Sequence, residues 1–387
     1  CAAFHIAVRA LLVTVLIGWT GVLGVRLRAE GVMTIPEYYG KRYGKPVRVL
    51  GGLMLVLGGV LNMGLFIKIA AMFIVALTGM ERESMLVAVM VALVAMVLLY
   101  TMLGGMVADL VTDYAQFVIM AVALVPVTLL AIHHVSWRAM VDTVLTVRGP
   151  AGFDPFREGT FGGTYVVWMA FTGLVSCAIW PTAVARALAA ESASVVRRMY
   201  MWSSVGFLVR VMIPYLWGIA ALAYVTADPA LKAAFLPPAG SGVAAVNNLY
   251  AVPVFLGRIL PVGLLGLLLA GMVAAEMSTH DSYLLTWSSV LTQDVVAPLM
   301  GDRMSPRARI LLTRAFTFLI GLYLIWWGLV YRGREDIWDY MAVSGSIYFT
   351  GAFALLVGGL YWRGASAGGA LLALVCGGSA VLGLTPV

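Results

Sequence analysis

Ten stretches of the chain are apolar for about 20 residues or more, the length a helix needs to cross the hydrocarbon core of a bilayer. They run over 4–25, 47–79, 84–103, 107–132, 161–188, 199–226, 260–292, 309–331, 338–361 and 367–387. The pattern predicts an all-α polytopic membrane protein of about ten transmembrane helices, with 1–387 forming a single membrane domain. The longer stretches exceed one bilayer thickness and must tilt or run past the lipid.

Interruptions within these stretches carry more information than their number. The fifth contains SCAIWPTAVAR (Ser176–Arg186), where Pro181 removes a backbone donor and strands a carbonyl near Cys177. Unwound backbone at membrane depth persists only where it lines a cavity or is buried in protein. The seventh carries AGMVAAEMSTHDSYLLTWSS (Ala270–Ser289), in which Ser278, Ser282 and Thr286 recur at helical spacing with Thr279 beside them. Such a polar stripe faces a bundle interior or a solvated cavity, because an unpaired polar atom in hydrocarbon costs several kcal/mol, roughly.

Charges inside the stretches follow the same logic. Asp109, Asp113 and Gln116 lie at i, i+4 and i+7 on the fourth, with Asp109 the nearer to an interfacial, solvated position. Glu276 and His280 are spaced to pair along one helix, with Asp281 beside them. Arg9 and Lys68 are cations in apolar surroundings, placed either to snorkel or to meet a partner. Glycine pairs at 51/52, 58/59, 358/359 and 377/378 mark close helix packing.

Composition agrees: 62% of residues are hydrophobic, 11% are charged and mean hydropathy is +0.98, which excludes an ordinary soluble domain. The net charge of +7 sits in short loops between apolar segments, an orientation signal rather than a nucleic-acid surface. Arg26, Arg28, Lys41, Arg42, Lys45 and Arg48 in the first connection, with Arg197, Arg198, Arg303, Arg307, Arg309 and Arg363, mark the cytoplasmic side. The opposite loops mix signs, as in Glu81 to Glu83 and Arg332 to Asp336. Cys1, Cys177 and Cys376 have no metal-like spacing. The opening at Cys1, without leader or initiator Met, reads as a fragment.

Five segments together resemble the sodium:solute symporter family, which includes sodium/glucose and sodium/proline cotransporters. They are TIPEYYGKRYG (Thr34–Gly44), YTMLGGMVADLVTDYAQFVIM (Tyr100–Met120), ARALAAESASVVRR (Ala185–Arg198), LLAGMVAAEMSTHDSYLLTWSSVLTQDV (Leu268–Val295) and GLYWRGASAGGA (Gly359–Ala370), in one order along nearly the whole chain. The resemblance implies a leucine-transporter-like fold of two inverted five-helix repeats. On that mapping 1–132 carries core helices 2 to 5, 161–361 core helices 6 to 10, and 367–387 a peripheral helix. Core helix 1, the other broken helix beside the Pro181 segment, lies outside the sequence.

The same resemblance places a sodium site on the Ala275 carbonyl and the Ser278 and Thr279 hydroxyls. The chemistry suits it, since a hard monovalent cation prefers oxygen ligands and i, i+3, i+4 spacing puts three on one face. The plain alternative is that these hydroxyls bond back to their own helix. Asp113 falls where some members line a second sodium site or the inward exit. Arg9 falls near the acidic sugar-binding residue of sugar transporters, and Gly173 and Ser176 fall where those carry Asn and an aromatic gate. Both departures weaken a sugar, while Arg9 in the pocket would favour a carboxylate. Trp180, beside the break, either covers the solute or faces lipid.

The expected function is therefore sodium-coupled symport of a small polar solute across the plasma membrane, with sodium co-transported and the lipid bilayer as surroundings. Nucleic acid is not expected as a partner, nor is enzymatic activity. The alternatives are a membrane-embedded sensor and an integral membrane enzyme using His133/His134 or His280/Asp281, but no nucleophile or metal-ligand set accompanies either pair.

Overall fold

Helix breaks fall where the backbone chemistry of the sequence demands them. The computed structural model describes residues 2–80, 82–154, 156–157, 162–237, 245–331 and 337–383. Cys1, Glu81 and the Arg332 to Asp336 loop lie outside the described residues. Among the described residues ten apolar helices follow one another: α1 (His5–Thr20), α2 (Lys45–Thr78), α3 (Glu83–Gly105), α4 (Asp109–Val135), α5 (Gly162–Ile179), α6 (Ala193–Ala227), α7 (Val262–Leu299), α8 (Pro306–Val330), α9 (Tyr340–Tyr361) and α10 (Ala367–Gly383). Eight are long and apolar enough to cross a membrane, and α1 and α10 are shorter. The protein is an all-helical, multi-pass membrane protein.

One expected crossing is discontinuous, and two others meet at a sharp turn. Between α3 and α4 the backbone turns at Gly105, with φ 61° and ψ −165°, a conformation open to glycine and strained for any other residue. Helix α5 stops at Trp180 (φ −61°, ψ 116°) and resumes as the short helix Pro181–Ala189. Proline suits the first turn of the second helix, where its missing donor is not needed. Within α7, residues Leu291–Val296 widen into a π-helical turn.

The loops rich in Arg and Lys gather at one end of the bundle. Arg28 Nε donates to the Ala190 carbonyl at the end of the short helix (2.9 Å), and Arg197 Nη1 to the Trp19 carbonyl near the end of α1 (2.6 Å). Arg42 reaches the Gly359, Trp362 and Arg363 carbonyls past the end of α9. Cations thus satisfy carbonyls that helix C-termini leave unbonded. Arg48 Nε meets Asp294 Oδ1 at 2.9 Å, joining α2 to the π-helical turn.

The TIPEYYGKRYG segment has a structural task at this end. Thr34 Oγ1 accepts from Glu37 N (3.1 Å) and starts the helix Ile35–Tyr43, with Pro36 in its first turn. Tyr39 and Tyr43 then run their hydroxyls to the Ala352 and Leu355 carbonyls of α9, at 3.0 and 2.8 Å.

Between the helices, glycines set the closeness of packing. A Cβ on Gly59 would stand 2.4 Å from the Trp287 ring, and one on Gly377 would stand 2.6 Å from the Gly351 backbone nitrogen. In lipid, where tails are as apolar as leucine, such contact and the dispersion it brings are what hold helices together. Gly377→Ala should therefore lower stability by roughly 1–3 kcal/mol through overpacking against backbone that cannot yield. Gly368→Ala, whose Cβ would meet nothing within 4 Å, should not. Thermal unfolding in detergent compares the two, and equal midpoints would refute the close α9–α10 contact.

Candidate ion and solute site

Helix α7 packs along α3 and α4 and against the short helix, and Ser282 of its polar stripe meets Arg186 of that short helix. Ser278 Oγ and Thr279 Oγ1 both donate to the Ala275 carbonyl, at 3.0 and 2.9 Å, and Ser282 Oγ donates to the Ser278 carbonyl at 3.1 Å. The hydroxyls satisfy their own hydrogens on the helix, as membrane Ser and Thr commonly do. Their oxygens keep lone pairs for a further donor or cation. Ser278 and Thr279 are half-buried. An open apolar groove of about 530 Å³ lies on the other face of α7, lined by Gln116 and Ile119 of α4 and Ala270, Val273, Ala274 and Met277 of α7.

One turn along α7, the charges close into a network. Arg186, on the short helix after the break, donates Nη2 to Asp113 Oδ2 (2.5 Å), Asp109 Oδ2 (3.2 Å) and Ser282 Oγ (2.7 Å). Tyr100 of α3 donates to Asp281 Oδ2 (2.6 Å), whose other oxygen accepts from Ser282 N (2.5 Å). One carboxylate oxygen from each of Asp109, Asp113 and Asp281 lies within 4.8 Å of the others. Asp109 is 5% exposed and Asp281 0%. The expected interfacial placing of Asp109 is thus corrected: the α4 face carrying Asp109, Asp113 and Gln116 turns inward because Arg186 supplies the cation that makes burial tolerable. Asp109 Oδ1, Asp113 Oδ1 and Gln116 Oε1 are buried without a donor.

Arg186 escaped the sequence reading. It ends SCAIWPTAVAR and stands in ARALAAESASVVRR, and an Arg one turn past a helix break is the signal the sequence offers for it. Glu276 and His280 do pair, Oε1 to Nδ1 at 2.9 Å, with Phe66 edge-on to the imidazole. Lys68 caps the Tyr331 carbonyl at the end of α8. His133 and His134 are exposed at the end of α4.

The four solute candidates come together along α5. Gly173, Ser176 and Trp180 share one face at i, i+3 and i+7. Arg9 of α1 lays its guanidinium on Gly173, where a Cβ would stand 3.0 Å from Nη1, and donates to the Met169 carbonyl. The head group therefore turns into the α1–α5 seam. Ser176 Oγ donates to the Gly173 carbonyl at 3.2 Å. Trp180 packs inward against Tyr283, Trp287 and Phe349, with ring centroids 5.6, 6.4 and 5.3 Å away. A small gap of about 10 Å³ lies there, bounded by Gly58, Gly59, Trp180, Pro181, Tyr348 and Phe349 among others, so the aromatic rings close on one another. Tyr283 and Trp287 belong to α7, so that helix carries both the hydroxyl stripe and one wall of the aromatic cluster.

Comparison with known proteins places this geometry. The sodium:solute symporter family matches residues 1–377. The chain is 24% identical over 371 residues to a sodium/glucose cotransporter of Vibrio parahaemolyticus, a match covering 89% of this chain and 65% of that protein. It is 27% identical over 403 residues to sodium/glucose cotransporter 1 of Oryctolagus cuniculus, covering 95% and 59%. With sodium/proline symporter 2 of Staphylococcus saprophyticus it shares 25% over 301 residues, covering 74% and 53%. The chain thus spans between 53% and 65% of the length of these relatives. A solved Na+-coupled sialic acid symporter, in a substrate-bound outward-open state, superposes with a TM-score of 0.75 at 17% identity, over 99% of this chain and 84% of that one. The chain belongs to the sodium:solute symporter family and has its leucine-transporter-like, inverted-repeat fold.

Proposed function

We propose that the protein is a sodium-coupled secondary active symporter that moves a small polar solute across the plasma membrane by alternating access. The observation that carries this is the oxygen-lined face of α7, where the Ala275 carbonyl and the Ser278 and Thr279 hydroxyls lie within one turn of the Asp113–Arg186 pair. These three oxygens supply half of a sodium shell, with the rest coming from the family's core helix 1. Asp113 lies on the ion's inward path. The solute lies against Gly173, Ser176 and Trp180, with Arg9 at one end. On this mapping 1–132 and 161–361 carry core helices 2 to 5 and 6 to 10, with 367–387 peripheral. The scheme needs no covalent chemistry.

Arg186 gives the coupling a physical form. It ties the short helix after the break to α4 and α7 through the oxygens of Asp109, Asp113 and Ser282. A sodium ion approaching Asp113 competes with the guanidinium for the same oxygens, so ion movement and release of the broken helix become one event. Binding energy that differs between the two arrangements is what an ion gradient can use.

In proteoliposomes, uptake of the solute should require a sodium gradient. Ser278→Ala with Thr279→Ala should raise the half-saturating sodium concentration by on the order of 100-fold, since each lost ligand oxygen forfeits about 1.4 kcal/mol. Unchanged sodium dependence would count against the site. Arg186→Met strands buried carboxylates and should destabilise the protein by about 3 kcal/mol in thermal unfolding. Asp109→Asn with Asp113→Asn in the Arg186→Met background should restore most of that loss; failure to do so would sink the proposed tie.

A further inference from the structure

We infer that Arg48 is a positioning residue for the ion site: it selects the π-helical register of Leu291–Val296 and so sets which way the Ser278 and Thr279 hydroxyls of the same helix face; this rests on the symporter reading above. The π-helical turn ends at a proline, and the selection is made there. Ala297 N donates to the Thr292 carbonyl, five residues back, where an α-helix would give it the Gln293 carbonyl. The next donor in the π register would be residue 298, and Pro298 has none. The Gln293 carbonyl is therefore left over. Arg48 Nη2 fills it at 3.0 Å, while Nε of the same guanidinium holds the neighbouring Asp294 Oδ1 at 2.9 Å. In the α register Ala297 would take the Gln293 carbonyl, and the Asp294 carbonyl would be the orphan instead. Arg48 thus bonds the carbonyl that only the π register leaves free.

The choice of register is felt along the whole helix. A π-helical turn absorbs a residue that an α-helical turn does not, so its conversion to α would rotate everything before it by about 100° relative to everything after it. In the register observed, Ser288 and Thr292 of α7 accept from Thr317 (2.9 Å) and Thr313 (3.0 Å) of α8, and the Trp287 ring lies on Gly59 of α2. Ser282 meets Arg186 on the short helix. A rotation of that size would part these pairs and carry Ser278 and Thr279, on the same stripe as Ser282, round with them. Thr279 stands about 21 Å of helix before Gln293, beyond the reach of the guanidinium. Arg48 therefore acts on the hydroxyls only through the phase of α7.

Sodium itself is the probe. Thermal unfolding of the purified full-length protein is followed across a sodium titration, with choline holding the ionic strength constant, and the concentration giving half of the stabilisation is read. Arg48→Gln should raise that concentration by on the order of tenfold, because the binding-competent register falls to about one-tenth of the molecules and apparent affinity falls with it. Deleting Val296 removes the extra residue and lets Ala297 bond Thr292 within an ordinary α-helix, with the stripe facing as before. That deletion should leave the half-stabilising concentration as in the wild type, and Arg48→Gln added to it should lower the unfolding temperature while moving that concentration by less than about twofold. An Arg48 that served stability alone would cost unfolding temperature in both backgrounds and shift sodium dependence in neither. Arg48→Lys keeps the charge beside Asp294 but loses the fork; it should repeat the pattern at about threefold and decides if Arg48→Gln does not fold. Unchanged sodium dependence in the Arg48 variants, an equal change with and without Val296, or a deletion that itself unfolds the protein or shifts sodium dependence overturns the inference and leaves the symporter reading standing. A wild-type protein that sodium does not stabilise overturns both.

Discussion

Hydrocarbon offers no hydrogen bonds, so every polar group that the chain carries to membrane depth must find its partner within the protein. That constraint organises the interior. Arg186 collects Asp109, Asp113 and Ser282, Tyr100 serves Asp281, His280 meets Glu276, and Lys68 caps a helix end. The hydroxyls of the α7 stripe bond back to their own helix. Where a group has not been matched, as at Arg9 or at the outer oxygens of Asp109 and Asp113, the structure holds capacity for something that arrives from outside.

The broken helix is the point at which these demands meet. Pro181 ends α5 after Trp180, and the two halves then diverge in company. Before the break, Gly173 and Ser176 face Arg9 and the α1 seam, and Trp180 enters the aromatic cluster. After it, Arg186 reaches the carboxylates of α4. Helix α7 touches both halves, through Tyr283 and Trp287 on one side and Ser282 on the other. In the proposed symport, a solute pressing on the first half and an ion drawn to the second act on one discontinuous element.

Around this element the scaffold is held by close apolar packing and by caps. Glycines on α2, α9 and α10 bring backbones and aromatic rings into contact, and the helix Ile35–Tyr43 fastens its tyrosines to α9. The Arg48–Asp294 pair fixes α2 to the π-helical turn of α7 at the same end. The basic loops therefore contribute contacts as well as charge.

The chain by itself determined the ten apolar helices, the break at Trp180 and Pro181, the hydroxyl stripe and the Glu276–His280 pair. Each of these is local: length, a missing donor and helical spacing are properties of neighbouring residues. Tertiary structure decided which of two tenable neighbourhoods each polar residue entered. It drew Asp109 inward, aimed Trp180 at Tyr283 and Phe349, laid Arg9 on Gly173 and brought Arg186 to Asp109, Asp113 and Ser282. Those outcomes depend on how helices distant in sequence are rotated and spaced against one another, from 73 residues apart for Arg186 and Asp113 to 169 for Trp180 and Phe349. Periodicity fixes the face on which a residue lies, and only packing fixes what that face meets.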